Sequence, residues 1–136
     1  MLPKAGPDGS ISLVADAADV HNSLRAHARL QGKGVDAVVT DWDHPESRVS
    51  WDFEAPKGGS YKVRADISGA GGGRLRLEIG KTATPASIQA DPSLARRTVE
   101  LGTVSIPVAG VQTLQLRPEA EGWQPIQLHK VLLIPE

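Results

Sequence analysis

The stretch RVSWDFEAPKGGSYKVRADISG, residues 48–69, decides the fold because it holds two runs of alternating side chains joined by a turn. Val49, Trp51 and Phe53 alternate with polar residues in the first run, and Tyr61 begins the same alternation in the second. A period of two is what a β-strand with one buried face requires, and APKGG between the runs is typical of a turn. The stretch therefore predicts two strands, with Trp51, Phe53 and Tyr61 facing the core.

The same alternation recurs along the chain. It appears in ISLVA near the start, in RLRLEI and in TLQLRP, and TVELGTVSI and IQLHKVLLIPE are further candidate strands. The sequence contains 14 glycines and 10 prolines, and no window of helical length carries an apolar stripe at helical spacing. Short strands separated by glycine and proline turns predict an all-β protein, built as an antiparallel β-sandwich.

Residues 16–40 allow two interpretations. The segment DAADVHNSLRAHARLQG places Val20, Leu24 and Ala28 four residues apart, which would suit a short helix. The same residues equally suit a strand followed by a long loop. The sequence leaves both conformations open.

Length and composition exclude several classes of protein. At 136 residues the chain is predicted to be one domain, 1–136. A net charge of -1 with interspersed signs gives no basic surface for nucleic acid or an anionic membrane, and the apolar runs are too short to span a membrane. The absence of cysteine excludes disulfides and thiolate chemistry. The start, MLPKAGPDGS, lacks the basic and apolar regions of a signal peptide.

Five motifs occur in order along nearly the whole chain: GSISLVADAADVHNSLR, DWDHPESRVSWDF, APKGGSYKVR, LGTVSIPVAGVQTLQLRP and IQLHKVLLIP. In this order they resemble the galactose-binding-domain-like jelly rolls that serve as carbohydrate-binding modules, of which families six and thirty-five are the best known. The resemblance is closest to accessory domains attached to secreted bacterial α-L-fucosidases and sulfatases. It implies a jelly-roll sandwich excised from a larger carbohydrate-active enzyme, with a glycan and the attached catalytic domain as partners, in a secreted or periplasmic location.

Two regions depart from the family pattern. Where such domains often read Trp-x-Asn-Pro-x-Asp, this chain has His44 before Pro45, and Ser47 at the last position. Near the C terminus, Gln127 and His129 stand where Asp followed two residues later by Arg is frequent. These substitutions remove carboxylates and an amide suited to sugar hydroxyls or calcium.

Trp42 and Trp123 lie outside the alternating runs, in TDWDHPES and EAEGWQPI, where the flanking residues predict loops. A flat aromatic ring can stack on the weakly apolar face of a sugar, while Asp41, Asp43 and His44 would pair its hydroxyls. Each tryptophan could instead fold back and cap the core, and each polar residue could cap backbone amides in a solvated turn. The sequence makes these five residues the candidate carbohydrate site and leaves both roles open.

Catalytic motifs are missing from the sequence. GxSxG and HExxH do not occur, His21 and His27 are six residues apart, and no pair of carboxylates is singled out. We therefore expect a protein that is not an enzyme and needs no cofactor. A structural calcium ion between the first and last strands is a weaker expectation. Asp16 and Asp19 would supply its oxygen ligands, and are otherwise surface acids.

These features predict a non-catalytic module that binds a glycan and keeps an attached glycoside hydrolase or sulfatase near its substrate. Two alternatives remain: a docking domain that packs on a catalytic neighbour and binds no sugar, and an independent protein-interaction module. A glycan binder should expose Trp42 or Trp123 in a site lined by polar groups. A docking domain should instead expose an aliphatic patch.

Overall fold

The computed structural model describes residues 2–24, 26–92 and 95–136. Within these ranges the chain forms eleven β-strands and two short 3-10 turns, Ala15–Ala17 and Gly34–Asp36. The strands are β1 (Ile11–Val14), β2 (Asp19–His21), β3 (Arg29–Gln31), β4 (Val38–Trp42), β5 (Arg48–Ala55), β6 (Gly59–Ser68), β7 (Gly73–Ile79), β8 (Thr82–Ile88), β9 (Arg97–Ile106), β10 (Gly110–Pro118) and β11 (Ile126–Pro135).

The strands form two sheets whose neighbours all pair antiparallel. The first sheet has the order β3-β4-β11-β6-β9, and β1 pairs with β11 further along that strand. The second sheet has the order β2-β5-β10-β7-β8. Since β5 and β6 are consecutive but lie in different sheets, the APKGG turn carries the chain across the core. The arrangement is a jelly-roll β-sandwich, as predicted.

The core between the sheets consists of alternate residues of the facing strands. Trp51, Phe53 and Tyr61 each have 0% exposure, which confirms that they face inward. The Trp51 indole donates a hydrogen bond to the carbonyl of Val14 at 2.8 Å, and the Tyr61 hydroxyl donates to the carbonyl of Lys57 at 2.8 Å. Each ring therefore buries its apolar body while its polar atom keeps a partner.

Residues 16–40 adopt the strand-and-loop interpretation. The described part contains β2, β3 and the second 3-10 turn, and Arg25 lies outside it. Leu24, which the helical interpretation placed on a buried stripe, is fully exposed, whereas Ala28 is buried. With Leu24 in solvent, a helix here would have no continuous apolar face to pack on the sandwich. No helix in the described ranges is long and apolar enough to cross a membrane.

The sequence predicted neither β4, whose last residue, Trp42, was expected in a loop, nor β8. Among the described strands, β8, TATPASI, pairs only with β7 and therefore forms an edge of the second sheet. Pro85 lies within it, opposite Arg76. A proline lacks the N–H that a central strand needs, so it is tolerated at an edge, and its presence obscured the strand in the sequence.

Candidate functional site

Trp42 and Trp123 meet at one end of the sandwich. Trp42 is the last residue of β4, and Trp123 lies in the loop before β11. Their ring centroids are 5.2 Å apart, with 55° between the planes. The Trp42 indole donates to the carbonyl of Ser47 at 2.9 Å, and the Trp123 indole donates to the carbonyl of Trp42 at 2.9 Å. The two rings close this end of the core.

This placement gives the two tryptophans the capping role, one of the two that the sequence left open, and not the sugar-stacking role on which their place in the candidate site depended. Trp42 has 0% exposure and Trp123 has 6%, so neither offers a face on which a sugar ring could stack. Both indole N–H groups are already satisfied by backbone carbonyls within the loops they join. Burial is favoured because each ring removes a large apolar area from water without leaving a donor unpaired.

A β-bulge in β4 determines which residues of this strand face outward at the site. Ile126 pairs with Trp42 and Leu128 pairs with Val39, so β4 has one residue more than β11 over this interval. As a result Val39 and Trp42 both face the core although they are three residues apart. Asp41 lies between them with φ of 56°, a left-handed conformation that aspartate tolerates better than most residues.

The bulge and the loops beside it line an open cavity of about 430 Å³. Its lining residues are Thr40, Asp41, Asp43, Gly69, Pro125, Ile126 and Gln127. The structure thus brings Asp41 and Asp43 together and places the Trp42 and Trp123 pair at the same end of the sandwich. His44 is not among the lining residues.

The two aspartates differ in their partners. The Asp41 carboxylate accepts a hydrogen bond from Arg29 Nε at 2.7 Å, an exposed ion pair that fixes its position. Asp43 is exposed and makes no ion pair or side-chain hydrogen bond with the described residues. His44 stays within its own turn, where its Nδ1 accepts a hydrogen bond from the Glu46 amide at 3.1 Å. Asp43 is therefore the carboxylate of this cavity that can accept hydrogen bonds from a ligand.

A chain of hydrogen bonds crosses three strands beneath the cavity. The Ser68 hydroxyl donates to Gln127 Oε1 at 2.9 Å, and Gln127 Nε2 donates to Thr40 Oγ1 at 3.4 Å. His129 Nε2 lies 2.9 Å from the Ser68 hydroxyl oxygen, and since that hydroxyl gives its proton to Gln127, the imidazole acts as the donor. The bonds run in one direction and fix the position of the Gln127 amide, whose residue lines the cavity.

Two ionisable groups beside this chain have shifted pKa values. Partial burial, followed by the positive charge of Arg96, lowers the pKa of His129, although Asp66 opposes the shift. Burial alone would raise the pKa of Asp66, but hydrogen bonds from Thr98 and Arg96 and the charge of Lys130 outweigh it and lower that pKa. His129 is therefore neutral and Asp66 ionised near neutral pH.

Close backbone packing holds the rim of the cavity. A side chain at Gly71 would place its Cβ 1.9 Å from the carbonyl oxygen of Pro125, so only glycine fits where these two loops meet. Arg97 donates from Nη1 to the carbonyl of Gly69 at 2.8 Å and so ties the same loop to β9. These contacts make the cavity a preformed feature of the fold.

Metal-binding residues are not clustered in the described ranges. Asp16 and Asp19 are exposed, and among the described residues no three His, Cys, Asp or Glu side chains are grouped to hold an ion. A calcium ion at Asp16 and Asp19 would need most of its ligands from backbone carbonyls or water.

A larger cavity, of about 690 Å³, lies between β8 and β9. None of the residues singled out in the sequence lines it. Its two carboxylates are occupied by arginines, since Glu100 pairs with Arg64 at 3.3 Å and Glu119 with Arg76 at 3.4 Å. The smaller cavity, with the free Asp43 carboxylate, is the better candidate for a ligand site despite its size.

Comparison with known proteins defines the class of fold and no more. No protein-family model and no curated protein matches the sequence. The structure is similar to a family 35 carbohydrate-binding module from Clostridium thermocellum, with a TM-score of 0.74 and 12% identity over 93% of this chain and 98% of that one. It is also similar to the C-terminal family 6 module of a marine laminarinase from Zobellia galactanivorans, with a TM-score of 0.67 and 15% identity over 92% and 98%.

Similar folds also occur inside larger enzymes. A β-(1,4)-mannanase from Podospora anserina, named as a joined GH26 and CBM35 protein, matches with a TM-score of 0.64 and 18% identity. The match covers 95% of this chain but only 28% of the mannanase. The chain therefore has the jelly-roll fold seen in carbohydrate-binding modules of families 35 and 6, which confirms the resemblance found in the sequence.

Sequence reasoning missed part of the cavity. Thr40 and Gln127 were not predicted as site residues, because their convergence depends on the pairing of β4 with β11. Gln127 stands out in the sequence only as a departure from the family pattern. Pro125 and Ile126, which supply the apolar part of the lining, carry no recognisable signal in the sequence.

Proposed function

We propose that the protein is a non-catalytic carbohydrate-binding module and that a glycan binds in the cavity at Asp43 and Gln127. The observation that carries this proposal is the free Asp43 carboxylate beside an oriented Gln127 amide, at the loop end of a fold shared with such modules. A carboxylate accepts hydrogen bonds from sugar hydroxyls, and an amide can both donate to and accept from them.

The apolar part of the lining supports the same ligand. Pro125 and Ile126 provide a surface against which the C–H face of a sugar ring can pack. Since Trp42 and Trp123 are buried, no aromatic ring adds stacking energy. The affinity is expected to be modest, on the order of 10 µM to 1 mM, because few contacts offset the entropy of binding.

The attached partner is part of the proposal. We infer that the module targets a glycoside hydrolase or sulfatase of the same polypeptide to its glycan, in a secreted or periplasmic location. Tethering raises the local concentration of substrate even when the module binds weakly. The mannanase that contains a similar domain supports this arrangement.

Affinity electrophoresis of the wild-type domain through gels that contain neutral plant or host polysaccharides tests the binding. Retardation by at least one polysaccharide is expected, and Asp43→Ala and Gln127→Ala should each abolish it. Asp52→Ala is the matched control, because Asp52 is an exposed aspartate on the second sheet whose side chain, among the described residues, bonds only to Thr113. Equal loss in the Asp52 variant, or no retardation of the wild-type domain, would contradict the proposal.

The burial of both tryptophans favours a second candidate, a domain that docks on its catalytic neighbour. Val108 and Val111 are 62% and 63% exposed around the β9–β10 turn, at the end of β10 away from the cavity. They are the aliphatic side chains that such an interface would cover. If the function is docking, replacing both valines with aspartate should weaken association with the neighbouring domain. If the function is glycan binding, the same replacement should leave glycan retardation unchanged.

A further inference from the structure

A row of basic side chains crosses the outer face of the second sheet. His21 on β2 pairs with Arg48 on β5, and Arg117 on β10 pairs with Arg76 on β7. The last pair of residues between β5 and β10 is Val49 with Leu116. Arg48 and Arg117 are the next residues on these two strands, so they also lie side by side. Paired residues of neighbouring strands point to the same face, and this row therefore places four basic residues together.

Such a row is unfavourable unless negative charge balances it. Like charges opposite one another destabilise a sheet. Arg117 lies 3.7 Å from Glu78, and Arg76 lies 3.4 Å from Glu119, so these two arginines have carboxylate partners. Arg48 has none among the described residues, and its Nε is buried without any hydrogen-bond partner. A buried donor without an acceptor is costly, so an anion that reached this side chain would relieve the cost.

The unpaired arginine borders an open cavity of about 440 Å³. His21 and Arg117 line it together with Arg48. Among its described lining residues the one carboxylate is that of Glu46, which faces His44 at 3.9 Å. The cavity therefore combines two guanidinium groups with little negative charge of its own.

We propose that this cavity binds an oxyanion, a carboxylate or sulfate ester group carried by an acidic polysaccharide. The planar guanidinium of Arg48 can present two parallel N–H donors to such a group, and Arg117 adds a second charge. This proposal depends on the proposed function in one respect, which is that the anion is taken to be part of a glycan. The first cavity and this one lie on different sheets, so the anion site is separate from the site at Asp43 and Gln127.

Nuclear magnetic resonance can observe the Arg48 Nε–H group directly. Sodium sulfate is titrated into the ¹⁵N-labelled domain, with sodium chloride at equal ionic strength as the reference. A saturable shift of the Arg48 side-chain signal is expected with sulfate and not with chloride. The signal should be absent in Arg48→Gln, whose remaining resonances should no longer respond. Equal responses to the two salts would overturn the site.

A matched pair of saccharides tests the polysaccharide part. Trigalacturonate should bind and shift the signals of the Arg48 cavity, whereas galactotriose, which lacks the carboxylates, should not. Loss of a charge-assisted hydrogen bond predicts that Arg48→Gln binds trigalacturonate about tenfold to a hundredfold more weakly. Arg48→Lys, which keeps the charge but loses the planar fork, should recover only part of the binding. Sulfate binding without binding of either trigalacturonate or a sulfated galactotriose would overturn the assignment to an acidic glycan.

Two controls separate binding at Arg48 from a general effect of charge and from binding in the first cavity. Arg64→Gln removes the same charge from the first sheet and should bind trigalacturonate as the wild type does. If Arg64→Gln loses as much affinity for trigalacturonate as Arg48→Gln does, the effect is one of net charge and the proposal is overturned. Asp43→Ala should leave the sulfate response intact, so failure of the first cavity to bind glycan is distinguishable from failure of this one. The melting temperature of Arg48→Gln should not fall, because the substitution removes a buried donor that has no acceptor among the described residues and one of a row of like charges.

Discussion

Replacement of Trp123 by alanine tests whether the tryptophan pair holds the fold together. Trp123 is 6% exposed, packs on Trp42 with ring centroids 5.2 Å apart, and donates a hydrogen bond to the Trp42 carbonyl. It also lies against Gly73, where an added Cβ would come within 3.1 Å of the indole ring. The truncation would remove these contacts and leave a space at the end of the core.

The expected cost is large for a domain of this size. Replacing a buried aromatic residue with alanine destabilises a protein by about 3 to 5 kcal/mol. At this chain length about 3 to 5 °C of melting temperature corresponds to 1 kcal/mol, so the melting temperature should fall by roughly 10 to 25 °C. The hydrogen bond is the smaller part of this loss, about 1 kcal/mol.

Thermal unfolding followed by circular dichroism measures the change, with Trp123→Phe as the matched variant. Phenylalanine keeps most of the packing and loses the N–H, so its melting temperature should lie between those of the wild type and Trp123→Ala. A Trp123→Ala protein that melts within about 2 °C of the wild type would refute the reasoning, because a ring that costs so little to remove is not part of the core.

Three further predictions follow from the same structure. Trp51→Ala should destabilise the domain by about 3 to 5 kcal/mol, measured by urea unfolding, and an unchanged midpoint would mean that Trp51 faces solvent. Chelation with EDTA should leave the melting temperature unchanged, whereas a fall reversed by calcium would make Asp16 and Asp19 ligands. Because the pKa of His129 is lowered on folding, its contribution to stability is complete above its ordinary value of 6.5 and is lost as the pH falls below that value. The wild type should therefore lose more stability than His129→Gln between pH 7 and pH 5, and equal losses would contradict the shift.

The alternating strands could be predicted from the sequence because one face of each is buried. Val49, Trp51 and Phe53 on β5 show the period of two without interruption, and all three are at 0% exposure. β8 lacks this signal, since its residues are small and Pro85 interrupts them. An edge strand needs neither large apolar side chains nor a full set of N–H donors, so composition alone does not reveal it.

The candidate site was only partly predictable. Asp41 and Asp43 stand out as polar residues beside a turn, and the structure places both at the cavity. The burial of Trp42 could not be predicted from alternation, because the bulge at Asp41 shifts the side-chain pattern by one residue. The approach of Gln127 depends on strand pairing between distant segments, which local pattern does not specify.

Mapping a bound glycan onto the domain by nuclear magnetic resonance tests the proposed site most directly. The polysaccharide that retards the domain most strongly in electrophoresis supplies the oligosaccharide for the titration. The side-chain amide of Gln127 and the backbone amides of Asp43 and Gly69 should show the largest shifts, and Trp123 Nε1–H should stay bonded to the Trp42 carbonyl. Shifts confined to the second sheet, or no shift with any retained glycan, would contradict the assignment of the cavity as the binding site.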